Sequence, residues 1–367
     1  MAFSLLLALL TRILMLPFVS EDAGIYLLPW MQEYKIYGAS ALGGEFSNYN
    51  FPYLFLMYAA SLLPIEPLYA IKFISLLGDV VLALSMAHLV RYYRPYGLEP
   101  LTAAVVTLFL PTVALNAAMW GQCDSYYAAF LLLSLSYLLR NDARKAWLLW
   151  ALALAFKLQS VFFLPVLALV SLRNRFNLLN PVLAAGLWVT LSLPPMLFGR
   201  SLGSTLGVYL RQTGEDRLVA GAANVYEWFP GVTAAEGRIP ALIACSLALM
   251  GIAFAYWRAP DSTERRVLLA VCVLAVCPFL LPQMHDRYFF ATEVLSLVLV
   301  GTRTLRLVPV IFSGTGLLVY VLYFSGNRYI WPLLTASALQ AFAVVLLVQQ
   351  LIKRRNAVTH SLHPVSQ

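Results

Sequence analysis

Long apolar runs recur along almost the whole chain, and they constrain its fold more than any other feature. A helix needs roughly 20 apolar residues to cross the hydrocarbon core of a bilayer. On that measure the sequence predicts twelve crossings, at residues 1–19, 67–90, 99–118, 122–139, 144–157, 159–172, 178–198, 240–257, 265–281, 287–302, 305–325 and 330–352. Only 11% of the residues are charged, against about 25% in soluble domains. The chain is therefore predicted to be an all-α integral membrane protein.

Two apolar runs need separate treatment. The first, from Phe3 to Val19, has no basic segment before it and no small-residue cleavage site after it, so it is interpreted as a retained helix. The run from Phe51 to Leu63 is only about 13 residues long and is bounded by prolines, which is short for a crossing. We expect this segment to be a re-entrant helix or a helix lying on the membrane surface.

The basic residues predict the orientation of the chain. With residues 51–63 left out as a crossing and the N-terminus in the cytoplasm, the cytoplasmic loops and tail hold 15 of the 25 basic residues, as the positive-inside rule requires. Because the net charge of +8 is spread over short loops, it indicates membrane topology and not nucleic-acid binding. Both termini are then cytoplasmic.

This topology divides the chain into four parts. Residues 1–200 form a first module that includes a long outer loop at 20–66, and residues 201–239 form a second outer loop. Residues 240–355 hold the C-terminal crossings, and 356–367 form a cytoplasmic tail. Loops as long as these two outer ones are usually functional or disordered.

Four polar stretches interrupt the apolar pattern at separate points of the chain. They are Glu21–Asp22, WGQCD at 120–124, FKLQ at 156–159 and LPQMHDRY at 281–288. The predicted topology places all four on the outer face. Ionisable side chains at a membrane boundary are costly unless they are paired, hydrated or used in function. We expect the four stretches to gather in one water-filled pocket.

The same stretches carry a family resemblance. The Glu21–Asp22 pair, FPYLFL, Lys72 with Asp79, WGQCDSYY, FKLQ, AANVYEW and PQMHDRYFF resemble, in that order, the multi-pass glycosyltransferases of the GT-C fold. Within that group they look like bacterial mannosyltransferases related to the second mannosyltransferase of GPI-anchor synthesis. The resemblance extends to about residue 300. Asp286 stands where that family carries Glu, and Pro52 stands alone where a proline pair is usual.

The resemblance implies a GT-C-like bundle and an inverting sugar transfer on the extracytoplasmic face of the cell membrane. The donor would be a polyprenyl-phosphate hexose, most simply mannose, and the acceptor an envelope glycan, lipid or protein. The base would be an acidic residue of the first outer loop, which is Asp22 here, with Glu21 as the alternative. Asp22 could instead be a solvated acid or a helix cap. No cofactor and no metal ion are expected.

Other residues of the four stretches are candidate substrate contacts, and each has a plain structural alternative. His285 and Arg287 would bind phosphate, with Asp286 orienting them, or Asp286 and Arg287 could form a local ion pair. Lys157 and Gln159 would contact the donor, or Lys157 could extend toward the lipid headgroups. The remaining candidates are Trp120, as a stacking face or a residue of the interfacial aromatic belt, Gln122 and Asp124, as sugar binders, and Arg211, as a second phosphate contact.

A transporter or lipid-linked-sugar flippase is the alternative function. Transporters usually contain two related halves with paired broken helices and mid-membrane charges. We find no such halves, and most of the candidate functional charges here lie at the predicted outer edge and not mid-membrane. Lys72 and Asp79, seven residues apart on one helix, are too distant to pair and should each contact another helix.

Overall fold

The computed structural model describes residues 2–95, 97–210, 217–326 and 329–353. These residues are helical throughout most of their length, and the described part contains no β-strand, only two isolated bridges that join residues 220 and 221 to His285. The prediction of an all-α chain is confirmed. The predicted tail at 356–367 lies outside the described residues.

The described part of the chain contains sixteen α-helices. The first eight are α1 (Ala2–Met15), α2 (Leu28–Tyr37), α3 (Phe51–Ser61), α4 (Pro67–Tyr93), α5 (Pro100–Phe109), α6 (Pro111–Ala114), α7 (Asp124–Leu139) and α8 (Ala143–Phe156). The others are α9 (Leu164–Arg173), α10 (Leu179–Ser192), α11 (Leu202–Leu206), α12 (Ala234–Trp257), α13 (Thr263–Leu280), α14 (Phe290–Ser296), α15 (Leu307–Phe324) and α16 (Ile330–Ile352).

Five helices of the described chain are long and apolar enough to cross a membrane. They are α4, α12, α15, α16 and the continuous segment Leu179–Phe198, which contains α10. A sixth is the bent pair Pro100–Phe109 and Pro111–Trp120. Each of the other predicted crossings also coincides with a helix. These helices are shorter, except α13, which has 18 residues but carries three charged residues in its first turn. The structure is therefore compatible with a helical membrane protein, and the number of twelve crossings stays a prediction.

The segment predicted as a short helix at 51–63 forms α3. Its N-terminus is set locally, because the side-chain oxygen of Asn50 accepts a hydrogen bond of 2.8 Å from the backbone N–H of Phe51 and Pro52 occupies the first turn, where a missing N–H costs nothing. Its position relative to the membrane stays a prediction.

The crossing predicted at 99–118 is broken. Its two halves meet at an angle of 61° before Pro111, where proline cannot donate the helical hydrogen bond. The second half then widens into a π-helical turn at Leu115–Trp120. A second π-helical turn, Ala23–Leu27, follows Asp22 directly. Such turns are rare and often occur at functional sites.

Buried charges fasten the helices to one another inside the bundle. Arg12 of α1 forms an ion pair of 2.8 Å with Asp79 of α4, and Asp79 also accepts a 2.7 Å hydrogen bond from Ser125 of α7. Lys72 of α4 instead donates to backbone carbonyls at the end of α1. The prediction that Lys72 and Asp79 contact other helices is confirmed.

A second polar cluster joins helix ends on the side of the bundle away from Asp124, at the other end of α7. Arg266 at the start of α13 pairs with Asp261 at 2.6 Å and donates to the Leu138 carbonyl at the end of α7 at 2.8 Å. Partial burial would raise the pKa of the Asp261 carboxyl, but hydrogen bonds from Arg266, Tyr256 and Asn174 outweigh it and hold that pKa below its usual value. The cluster ties together α7, α9, α12 and α13 at this end.

Candidate functional site

The four polar stretches predicted to share one pocket do meet around a single cavity. Its volume is about 440 Å³. Its walls include segments where one helix ends and the next begins. These are the segment after α1, the turn before α7, the junction of α8 with Leu158–Phe163, and the loop between α13 and α14. The lining residues are Asp22, Tyr26, Leu27, Trp30, Asn48, Tyr49, Gln122, Phe156, Lys157, Leu158, Gln159, His285, Arg287 and Tyr288.

Asp22 is the one carboxylate among the described residues that line this cavity. Its Oδ2 accepts hydrogen bonds from the indole N–H of Trp120 at 2.9 Å and from the amide of Gln122 at 3.1 Å. Arg287 approaches the same oxygen at 3.3 Å. The Asp22 side chain remains 23% exposed, so a molecule in the cavity can reach it.

Arg287 lies between carboxylates. Besides Asp22, its guanidinium approaches Asp124 at 3.9 Å and Asp286 at 3.7 Å. Its Nε is buried and has no hydrogen-bond partner in the described part of the chain. This Nε is the atom that lies 3.9 Å from Asp124, which is too far for a hydrogen bond.

Lys157 and Asp124 form a buried ion pair beside this group. Their charged atoms are 2.7 Å apart, and the two side chains are 4% and 1% exposed. The other oxygen of Asp124 accepts from Asn116 at 2.9 Å. Lys157 has an extended backbone at the break after α8, and this break brings its side chain to the cavity. Two cations, Arg287 and Lys157, thus face two acids, Asp22 and Asp124.

The loop at 281–288 is held in place by the second outer loop. The backbone N–H groups of Ala220 and Ala222 both donate to the Met284 carbonyl, at 3.3 and 3.2 Å, and that of Gln283 donates to Leu218 at 2.8 Å. Gln283 has a φ of 62°, which is uncommon for a residue other than glycine. Backbone contacts therefore fix where His285 and Arg287 lie.

The predicted site residues differ in whether they line the cavity. Asp22, Gln122, Lys157, Gln159, His285 and Arg287 line the cavity, whereas Glu21, Trp120, Asp124 and Asp286 do not. Arg211 lies outside the described residues. Glu21 is exposed to the outside of the cavity, which leaves Asp22 as the acid of the pair that a cavity ligand can contact.

Trp120 does not offer the stacking face that the sequence suggested, and that part of the prediction is wrong for this structure. The ring is fully buried, because one face stacks on Tyr323 at 3.9 Å and Arg287 lies over the indole at 5.2 Å. Asp124 is likewise buried behind Lys157. Both side chains hold cavity residues in place and are not themselves part of its wall.

Several cavity residues were missed by sequence reasoning. The hydroxyl of Tyr49 donates to Gln122 Oε1 at 3.0 Å, and Trp30, Tyr26 and Asn48 also line the wall. All belong to the first outer loop. Its length indicated a functional or disordered segment, but nothing in the sequence distinguishes these aromatic residues from the others nearby.

A second, apolar hollow of about 330 Å³ opens beside the cavity. The two share Leu158, Gln159 and Tyr288 in their walls. Most of its other lining residues are apolar, including Phe162, Leu242 and Met284. A ligand with a polar head and an apolar chain could occupy both spaces at once.

Within the described ranges, no group of three or more His, Cys, Asp or Glu residues is arranged to hold a metal ion. Neither a scan against models of known protein families nor a search of curated proteins finds a match to this chain. The geometry of the cavity and the resemblance of its motifs are therefore the observations from which a function can be inferred.

Proposed function

We propose that this chain is an inverting membrane glycosyltransferase. It would move a hexose, most simply mannose, from a polyprenyl-phosphate carrier to a hydroxyl of an envelope glycan, lipid or protein. The observation that supports this best is the position of Asp22 on the cavity wall, where Trp120 and Gln122 donate to its Oδ2 and Arg287 lies 3.3 Å away. A carboxylate and a cation thus face the same space.

Asp22 would act as the general base. Its second oxygen, Oδ1, takes the proton of the acceptor hydroxyl while the hydroxyl oxygen bonds to the anomeric carbon of the donor. The bond from that carbon to the phosphate oxygen breaks, and the phosphate leaves with the electron pair. General-base help of this kind contributes about 10²–10⁴-fold to a rate. Hydrogen bonds to Oδ2 fix the orientation of the carboxylate. A fixed orientation toward the acceptor hydroxyl is needed because catalysis by proximity depends on aligned reacting groups.

The leaving phosphate gains charge, so cations and donors must be in place before the reaction. Arg287 and His285 both line the cavity, so the guanidinium and the imidazole can donate to phosphate oxygens. A guanidinium suits this task because its planar fork can contact two oxygens of one phosphate. A carboxylic acid that protonates the leaving group is not needed, since phosphate already leaves well.

The apolar hollow fits the remaining part of the donor. The sugar and phosphate would occupy the polar cavity, and the first prenyl units would pass Leu158 and Tyr288 into the hollow beside it. The cost of taking a long apolar chain out of the bilayer is avoided if most of that chain stays in lipid.

The same proposal includes twelve crossings and a cavity on the extracytoplasmic face of the cell membrane. The distribution of basic residues supports this orientation. Helices shorter than a full span are compatible with it where they are joined by breaks that line a hydrated cavity, as at the cavity walls here.

Hexose transfer by the purified chain tests the proposal. The full chain in liposomes is incubated with radiolabelled polyprenyl-phosphate mannose and a detergent extract of envelope glycolipids, and labelled product is counted. Asp22→Asn is expected to lower transfer by at least about 10²-fold while thermal unfolding stays native. Glu21→Gln, the matched control on the neighbouring exposed acid, is expected to keep native transfer.

Two results would contradict the proposal. Native transfer by Asp22→Asn would remove Asp22 as the base. If the native chain transfers no hexose from mannose, glucose or galactose donors but moves them across the liposome membrane, it is a flippase and not a transferase.

A further inference from the structure

Lys72 is the buried cation that the proposed chemistry does not use. It lies in the second turn of α4, is fully buried and does not line the cavity. Its Nζ donates to the carbonyl oxygens of Leu16 at 2.7 Å and Met15 at 3.3 Å, and also to that of Phe18. Within the described chain it forms no ion pair with a carboxylate. Three backbone oxygens take all three of its N–H donors.

These carbonyls belong to the end of α1. The last turn of a helix leaves carbonyl groups without intrahelical partners, and a cation near them also interacts favourably with the helix dipole. Here the cation comes from a different helix. Burying an ammonium group costs free energy unless its hydrogen bonds are replaced, so the geometry of residues 15–18 is bound to the position of Lys72.

The segment that Lys72 holds leads directly to the proposed base. Phe18 is four residues before Asp22, and Ser20 between them continues the connection. The Ser20 hydroxyl donates to the Trp120 carbonyl at 2.9 Å and accepts from the backbone N–H of Ala23 at 3.1 Å. The hydroxyl of Tyr323 accepts from the Asp22 backbone N–H at 3.2 Å. The backbone around Asp22 is thus fixed from both sides.

The stem of Lys72 also lies close to the segment that carries the donors to Asp22. A side-chain carbon placed on Gly121 would lie 3.9 Å from Cγ of Lys72 and 3.4 Å from Ile71. Gly121 has a φ of 80°, a conformation that glycine adopts without strain. It stands between Trp120 and Gln122, the two residues that donate to Asp22 Oδ2. Lys72 therefore lies where the segment of the carboxylate and the segment of its donors meet.

We infer that Lys72 is a positioning residue for Asp22, setting the height and direction of its carboxylate by holding the end of α1. This rests on the proposed function, because it assigns Lys72 to the same transfer. Lys72 contacts neither the sugar nor the phosphate. Its loss should therefore lower kcat and leave the KM for the donor nearly unchanged.

Two measurements on the full-length chain test this inference. Lys72→Met keeps the length of the side chain and removes the donors. We expect amides of residues 15–22 to exchange with deuterium at least about tenfold faster, and kcat to fall about 10–100-fold, as misplacements of the order of 1 Å can cause. The donor KM should change less than threefold. Lys72→Gln, which keeps two N–H donors, should fall between Lys72→Met and the native chain in both measurements.

Lys35→Met is the matched control. Lys35 also donates to a backbone carbonyl, that of Ile65 at 3.1 Å. However, Lys35 is exposed, and Ile65 does not belong to the segment that leads to Asp22. This variant should keep native exchange at residues 15–22 and native kcat.

The two measurements separate the possible failures. Native exchange at residues 15–22 in Lys72→Met, or in Lys72→Gln if the first variant does not fold, overturns the inference. Faster exchange with native kcat overturns it as well, because the segment would then be held without consequence for Asp22. An absence of transfer by the native chain overturns the proposed function itself, and with it the role of Lys72 in transfer, whatever the exchange shows.

Discussion

At the scale of single residues, the cavity combines groups that the sequence marks clearly with groups that it does not mark. The carboxylate of Asp22 and the guanidinium of Arg287 are rare in an apolar chain, so both could be singled out in advance. Tyr323, whose hydroxyl reaches the Asp22 backbone, is one of 20 tyrosines and lies inside a predicted crossing. Its contact depends on how α15 packs, which periodicity does not specify.

Arg287 is expected to need its guanidinium and not only its charge. In Arg287→Lys the point charge can approach Asp22 or a phosphate, but it cannot keep two parallel hydrogen bonds to one phosphate. Loss of one charge-assisted hydrogen bond, at about 1.5–3 kcal/mol, should raise the KM for polyprenyl-phosphate mannose about 10–100-fold. Initial rates across donor concentrations measure this.

The same substitution elsewhere controls for a general effect. Arg140 lies over the ring of Tyr92 at 4.2 Å, at the end of α7 that is far from the cavity. Arg140→Lys should leave the donor KM unchanged. A native KM in Arg287→Lys would show that Arg287 contributes no paired contact to the donor phosphate.

At the scale of elements, the apolar runs predicted where helices form but not how they are interrupted. Alternating apolar and polar residues would have indicated strands, whereas continuous apolar runs of these lengths fit helices. The run at 99–118 was predicted as one crossing, although Pro111 bends it by 61°. The π-helical turns at Ala23–Leu27 and Leu115–Trp120 have no sequence signal, since the same apolar residues fit an α-helix.

Close packing of α4 on α7 depends on Gly78. A side-chain carbon at this position would lie 2.9 Å from Cε2 of Tyr126 and 3.3 Å from Cβ of Ser125. The Tyr126 ring cannot easily move away, because its hydroxyl donates to the Ile74 carbonyl at 2.9 Å and its face stacks on Phe156 at 4.9 Å. Gly78→Ala should therefore destabilise the protein by about 1–3 kcal/mol, the usual cost of overpacking.

Thermal unfolding of the purified chain in detergent measures this effect. Gly251 in α12 provides the matched control, because a side-chain carbon there would meet no atom within 4 Å. Gly251→Ala should leave the midpoint of unfolding unchanged or raise it slightly, since alanine favours a helix by about 1 kcal/mol over glycine. A midpoint as high in Gly78→Ala as in Gly251→Ala would contradict the packing argument.

At the scale of the whole molecule, the helices carry different polar groups at their two ends. One end holds the cavity, and the other holds the cluster of Arg266 and Asp261. The sequence predicted that four distant stretches share one pocket because a single topology places them on one face. It did not predict which of their side chains line the pocket, since this depends on the breaks at Lys157 and Gly121.

This two-ended arrangement predicts opposite accessibility for two exposed positions. Glu21 is beside the cavity, and Lys145 lies in the first turn of α8, whose other end reaches the cavity at Lys157. A helix of 14 residues separates the two ends by about 20 Å. In sealed right-side-out membrane vesicles, Glu21→Cys should react with a membrane-impermeant maleimide, and Lys145→Cys should react only after the vesicles are opened.

The four native cysteines are buried, so the unsubstituted chain should remain unlabelled. Reversed labelling would contradict the predicted orientation, whereas labelling of both positions in sealed vesicles would place Lys145 and the cavity on one side and so contradict a crossing by α8.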